Sequence, residues 1–285
     1  MIKARKRKET LRKIIIYSGL VLFALFVLVP FAIMLISSLK HKEETIGSFT
    51  WWPELGVTLR GYVNAFEKVA SSTSIIEGFF NTLWIIIPPT LVGLLTSTLS
   101  AYAFAKLRFR GKKVMFGLLI ATMMVPGIAT LVPSYIIWDY LGVTVDAPFV
   151  PLMIPGMFGA AACVFFMRQS ISAIPDSIIE ASRIDGIGTF GCFVRIVLPL
   201  IKPALLAQGI LGFVGGYNDY FGPLIYLKSD YQTLQIAVSV FSDRYSGDWP
   251  SILAANIVAI IPTVLIYIFV QKYFIEGITA GGEKG

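Results

Sequence analysis

The sequence predicts an all-α protein that crosses a lipid bilayer about six times, and three observations carry that prediction. Apolar residues make up 56% of the chain and charged ones only 14%, which makes the bilayer the default solvent. The apolar residues arrive in uncharged runs of about the 20 residues needed to cross roughly 30 Å of hydrocarbon. Lys and Arg fall beside those runs rather than along them, as expected of loops that fix topology.

Residues 1–13 form a basic N-terminus containing Lys3, Arg5, Lys6, Arg7, Lys8, Arg12 and Lys13. The apolar stretch that follows exceeds a signal-peptide core and lacks an Ala-x-Ala ending, so Ile14–Ser37 reads as a retained first span. An outer loop, Lys40–Gly78, holds Trp51 and Trp52 as interfacial anchors and a short helix over Leu59–Val69. Further spans are expected at Phe79–Ala105, Val114–Ile137, Phe149–Met167, Ala204–Leu227 and Ile252–Phe274, giving a membrane domain over 14–274 and a tail over 275–285. Basic residues gather at the N-terminus, at Lys106, Arg108, Arg110, Lys112 and Lys113, and at Arg168, Arg183, Arg195 and Lys202. By the positive-inside rule these segments and both termini are cytoplasmic.

Several chemistries are excluded or disfavoured. His41 is the single histidine and Cys163 and Cys192 are far apart, so no metal site, disulfide framework or catalytic constellation is expected. The net charge of +7 is accounted for by topology and does not call for nucleic acid. No Gly-x-x-x-x-Gly-Lys-Ser/Thr run occurs, and Gly186-x-Gly188-x-x-Gly191 lacks the preceding strand of a dinucleotide fingerprint.

The long connection Pro175–Pro203 carries most of the information. Pro175 and Asp176 suit a helix start, and Ile178, Ala181, Ser182 and Asp185 share a face at helical spacing before Gly186 stops the helix. Thr189 can cap a second helix on which Phe190, Phe193, Val194 and Val197 form an apolar stripe, ended by Pro199 and Pro203. Two short helices joined at glycine fit either a knob for another protein's groove or a hairpin folded on the membrane helices.

The spacing from Glu180-Ala181-Ser182 through Asp185-Gly186 to Ile196 and Leu198-Pro199 resembles the EAA loop of permease subunits of ATP-binding-cassette (ABC) importers, with Ser182 in place of the usual second alanine. Ala101–Ala105, Met124-Val125-Pro126, Tyr217-Asn218-Asp219-Tyr220 with Pro223-Leu224, and the tail from Gly277 to Gly285 extend the resemblance over the whole chain, within its carbohydrate branch of MalG-like permeases. The resemblance implies a multi-pass subunit of a bacterial-type plasma or inner membrane, with no enzymatic activity and no cofactor of its own. It would work with a second, homologous permease, two ATPase subunits that bind ATP and Mg, and an extracytoplasmic solute-binding protein. The solute would be an oligosaccharide, disaccharide or related sugar. Glu180, Ala181, Ser182, Asp185, Gly186, Leu198 and Pro199 would then couple to the ATPase, and the tail would make a second contact. An ion-driven secondary transporter or an ABC permease for another solute is the alternative.

In span five, Asn218 and Asp219 are costly in hydrocarbon and are expected to face a cavity or a partner. With Tyr217 and Tyr220 they are candidates for the solute pathway, and equally candidates for fixing helix packing. Gly209, Gly212, Gly215 and Gly216 fit close packing or a passage, and Pro126 and Pro133 fit kinks or gates.

Overall fold

In the computed structural model, residues 2–46, 50–67 and 73–279 are described, and among them there is no strand. The helices are α1 (Ile2–Ser38), α2 (Arg60–Phe66), α3 (Ile75–Lys106), α4 (Lys112–Thr122), α5 (Gly127–Tyr140), α6 (Val143–Asp146), α7 (Val150–Met157) and α8 (Ala161–Ser172). They continue as α9 (Asp176–Ile184), α10 (Thr189–Cys192), a π turn at Phe193–Val197, α11 (Leu198–Leu200), α12 (Lys202–Tyr217), α13 (Phe221–Tyr226), α14 (Leu234–Arg244) and α15 (Trp249–Thr279). Four stretches are long and apolar enough to cross a membrane as they stand: Thr10–Ser38, Ile75–Lys106, Val150–Ser172 and Trp249–Phe269. Two bent pairs, α4 with α5 and Thr189–Leu200 with α12, raise the number to six.

The chain separates into two compact units, residues 1–67 with 238–260, and 68–237 with 261–285. In the first, α1 buries none of its most apolar stretch, as suits a span apolar all round and surrounded by lipid. Its end is tied down by a hydrogen bond between the Ser38 and Tyr62 hydroxyls at 2.8 Å. Lys40, 2% exposed, donates to the Thr50 carbonyl and to Thr50 Oγ1, and the Glu44 carboxylate accepts the Glu54 and Leu55 amides at 2.8 and 3.1 Å. The outer loop is thus folded upon itself, leaving Trp51 and Trp52 exposed as interfacial anchors require. α2 ends at Phe66 rather than Val69, whose structure lies outside the described residues, as do 280–285 of the expected tail.

The second unit is organised around α3. Ser74 and Glu77 form a reciprocal capping box at its start. On one face Leu94, Thr90 and Ile86 meet Gly209, Gly212 and Gly216 of α12 in reversed order, so the two helices pack antiparallel. On another, Gly93 lies so close to α7 that a Cβ there would fall on the Gly156 carbonyl oxygen. The packing reading of the span-five glycines therefore holds for these three positions.

The structure sharpens three expected spans. The third is broken rather than kinked: α4 and α5 meet at 95° across Met123–Pro126, with Pro126 capping α5, while Pro133 stays inside α5. The fourth is interrupted at Phe158–Ala160, where Gly159 takes φ 94°, a region that favours glycine. The freed backbone groups find partners on α3: the Ala160 amide donates to Ser97 Oγ at 3.1 Å, and Thr96 Oγ1 donates to the Met157 carbonyl at 2.8 Å. Such an interruption is tolerated at membrane depth only when protein re-satisfies it. The fifth starts at Lys202 and stops at Tyr217, short of the expected Leu227, with α13 as a separate turn.

Candidate coupling loop and membrane cavity

The loop's first helix, α9, starts after Pro175, whose φ of −58° and ψ of 137° hold the chain extended before the first turn. Lys106 Nζ, at the end of α3, donates to the Ile174 carbonyl and to Asp176 Oδ1, each at 2.6 Å. That hydrogen bond and positive charge hold the Asp176 carboxyl below its ordinary 3.8. A lowered folded-state pKa contributes stability above the unfolded value and loses it as pH falls through the folded one. Hydrogen exchange at the α9 N-terminus, corrected for intrinsic rates, should stay flat from pH 7 to 5 and rise only below about pH 4.

α9 ends in a complete Schellman arrangement. The Gly186 amide bonds the Arg183 carbonyl at 3.1 Å and the Ile187 amide bonds the Ser182 carbonyl at 2.9 Å, with Gly186 at φ 79°. Gly186→Ala should cost about 1–2 kcal/mol, because a Cβ is disfavoured in this conformation even where space is open, while Gly186→Asn should cost less. Protease cleavage of the loop in membranes measures the difference.

The second helix is seated on α3. Tyr102 donates its hydroxyl to the Thr189 carbonyl at 3.3 Å, and its ring lies 5.3 Å from that of Phe193. Ile179, Cys192, Phe193 and Val197 are buried in one cluster with Ala101, Tyr102, Phe104, Val164 and Met167. The π turn falls where Pro199 lacks an N–H for the Arg195 carbonyl, so the ladder would be interrupted there in any case.

Among the coupling candidates, Glu180, Ala181, Asp185, Gly186 and Pro199 are exposed, and Leu198 is half-buried against the cluster. Ser182 faces the other way. It is 2% exposed and its Oγ donates to the Ile179 carbonyl at 2.7 Å, so it packs within this chain, and only a small side chain suits the position. The expected stripe is split likewise: Phe193 and Val197 are buried, while Phe190 and Val194 remain exposed. Ile184, 87% exposed beside Asp185, joins the outward apolar surface and is not singled out by spacing. One face of the loop is therefore seated on the membrane helices, as the hairpin reading expects, and the other is exposed.

A cavity of about 330 Å³ lies along α3 from Ile85 to Ser97, walled by α7, α8, α12 and α13. Of the span-five candidates only Asp219 lines it. Its Oδ1 accepts the Gly222 amide at 3.3 Å, bridging the break between α12 and α13. Tyr217 is buried against Phe213, their rings 5.8 Å apart. Asn218 donates to the Val214 carbonyl at 2.9 Å and is approached by Gln235 at 3.5 Å, bonds that fix local helix geometry. Tyr220 is half-buried with its ring edge-on to Phe221. Thr233 also lines the cavity and escapes a reading by sequence, since a lone threonine outside the predicted span carries no signal.

These features agree with what the chain is similar to. It is 30% identical over 94% of its length to the arabinooligosaccharides transport system permease protein AraQ of Halalkalibacterium halodurans, covering 95% of that protein. It is 31% identical to the melibiose/raffinose/stachyose import permease protein MelC of Bacillus subtilis, over 98% of this chain and 99% of that one. Its fold matches a chain of a bacterial ABC transporter for the import of alginate with a TM-score of 0.78 at 22% identity, covering 94% and 98% of the two chains. Residues 90–279, which contain the loop and most of the cavity's lining, match the family described as binding-protein-dependent transport system inner membrane component, and the chain belongs to that family.

Proposed function

We propose that this chain is a permease subunit of an ABC importer for a carbohydrate, and that the outward face of α9 is where an ATPase subunit docks. The observation that carries the reading is a short helix, α9, tied to α3 by Lys106 and followed by α10, which Tyr102 holds, with Glu180, Ala181 and Asp185 left exposed. A helix fixed on one side and exposed on the other is suited to transmit movement, because its own chain leaves it little freedom. The sugar-oligomer names of the relatives AraQ and MelC support the solute class.

In this reading both termini and the loop are cytoplasmic, and the chain pairs with a second homologous permease, two ATPase subunits and an extracytoplasmic binding protein. ATP and Mg are bound by the ATPase pair. Closure of that pair would carry α9 and α10 with it, and the spans would reorient around the solute. Glu180 would orient the docked helix by a charge-assisted hydrogen bond to a basic group of the ATPase. Ala181 and Gly186 would permit close approach, and Leu198-Pro199 would fix the return to α12. Tyr217, Asn218, Asp219 and Tyr220 mark the solute side of this subunit, with Asp219 nearest the cavity.

The test is uptake into vesicles reconstituted with the assembled importer, driven by ATP and dependent on the binding protein. Uptake that persists without ATP hydrolysis, or with Glu180 reversed in charge, would overturn the docking role.

A further inference from the structure

We propose that the turn between α3 and α4 is a binding site for the phosphate of an anionic phospholipid, with Arg108, Lys112 and Lys113 as its ligands. Residues 107–114 fold into an open pocket of about 490 Å³, lined by those three cations and by Leu107, Phe109 and Val114. Positive charge at such a turn follows from topology, but topology requires neither a pocket nor cations lining it. Lys112 is the fixed member. It is half-buried, and its Nζ donates to the Leu107 carbonyl at 2.9 Å and to the Ala105 carbonyl at 3.5 Å, which leaves one of three ammonium protons over. The charges that act on it are those of Arg168 and Arg108, both positive. Arg168 is held in place on α8, its Nε donating to the Phe104 carbonyl at 3.3 Å and its guanidinium 4.1 Å from the centre of the Phe116 ring. Arg108 and Lys113 are exposed and make no hydrogen bond or ion pair with any described residue. Asp176, the acid on which Arg108 acts, is already bonded to Lys106 at 2.6 Å, and no Asp or Glu lies between Glu77 and Asp139 in the chain. Cations gathered without an anion repel one another. A bound phosphate replaces that repulsion by attraction and offers the Arg108 fork a bidentate partner.

The position of the pocket selects a lipid over a soluble phosphate. α3 and α4 both belong to membrane-crossing stretches, so the turn between their ends lies at the membrane surface. From the pocket's rim, Val114 and Leu118, one turn apart on α4, continue as an exposed apolar strip, with Met115 exposed beside them. Phe109 completes the apolar side, its ring 5.8 Å from that of Phe104. Cations at one end and exposed apolar side chains at the other match a phospholipid, whose phosphate sits at headgroup level and whose chains run into the hydrocarbon. Basic pockets at the ends of spans are where anionic headgroups bind. A zwitterionic lipid brings its own ammonium, which the three cations disfavour.

The site is tested by titrating the full assembled importer in detergent with phosphatidylglycerol or phosphatidylcholine and counting bound lipids by native mass spectrometry. Two basic ligands predict that phosphatidylglycerol is held more than about ten-fold tighter. Arg108→Gln with Lys113→Gln should remove most of that preference, and Arg108→Lys with Lys113→Arg should keep it. Neither pair breaks an internal contact, so both variants keep the fold. Arg110→Gln is the control, since Arg110 is exposed on the same turn without lining the pocket, and it should leave the preference within about two-fold. Equal binding of the two lipids, a preference that survives the double Gln variant, or an equal loss with Arg110→Gln would each overturn the site. Displacement of the lipid by an equal concentration of glycerol 3-phosphate would assign the pocket to a soluble anion instead, and a preference shown by the permease pair but lost once the ATPase is bound would assign it to that partner. Lipid binding needs neither ATP nor sugar, so failure of the importer reading would appear in the vesicle assay and failure of the lipid site here.

Discussion

Glu180→Lys should abolish coupled uptake while leaving the chain in the membrane and folded. Glu180 is exposed on α9 and makes no hydrogen bond or ion pair with any described residue, so the protein loses no internal contact when its charge is reversed. The effect must therefore come from outside the chain. A charge-assisted hydrogen bond is worth about twice a neutral one, and in the proposed docking reversal would convert attraction to a basic group of the ATPase into repulsion. A rate loss of about 100-fold or more is expected, with the ATPase either released or hydrolysing ATP without transport. Glu180→Gln, which keeps the shape and one acceptor, should fall between. Side-by-side measurement of uptake and ATP hydrolysis separates lost coupling from lost assembly.

Gly93→Ala should be the most damaging single methyl group in the second unit. Its Cβ would fall on the carbonyl oxygen of Gly156, a backbone atom that cannot swing aside as a side chain does. Overpacking of a core costs about 1–3 kcal/mol even where side chains yield. Here α3 and α7 would have to separate, and one helical turn further along that same interface are the bonds from Thr96 to Met157 and from Ser97 to Ala160. Losing both adds about 0.5–1.5 kcal/mol each. Gly117→Ala is the control: it lies within α4 with open space where the added methyl would sit, and should be neutral or slightly stabilising. Thermal melting of the detergent-solubilised protein, read by aggregation, should separate the two variants clearly.

How much of this fold is legible in the sequence depends on the kind of signal each feature leaves. Long uncharged runs announce spans, so the crossing stretch Thr10–Ser38 of α1, and α3 and α15, can be placed within a few residues, although α1 itself continues back to Ile2. Fixed spacing of small and acidic residues announces the loop, and Gly186 reads correctly as its stop because only backbone conformation is at stake there. The sharp break at Pro126 is underestimated, since proline predicts a lost hydrogen bond but not how far the chain then turns. The interruption at Gly159 leaves no local mark, because it depends on Thr96 and Ser97 some sixty residues earlier. Spacing groups Ser182 with Ala181, yet a helix one residue further round presents a different neighbour, and Ile179 shows which face is inward. The latch between Lys106 and Asp176 joins residues 70 apart and cannot be read from either alone.

Helix α3 is held to the loop at Lys106 and Tyr102 and also forms a wall of the cavity, centred near Leu91. At 1.5 Å per residue those 15 residues make an arm of roughly 22 Å, so each ten degrees of tilt about its loop-bound end would displace the wall by about 4 Å. The adjacent Pro88 and Pro89 supply no amide to the helix ladder, which leaves a joint just beyond the wall's midpoint. A crank anchored at one end and jointed near its middle would turn a small rotation at the loop into an ångström-scale change in the width of the cavity along α3.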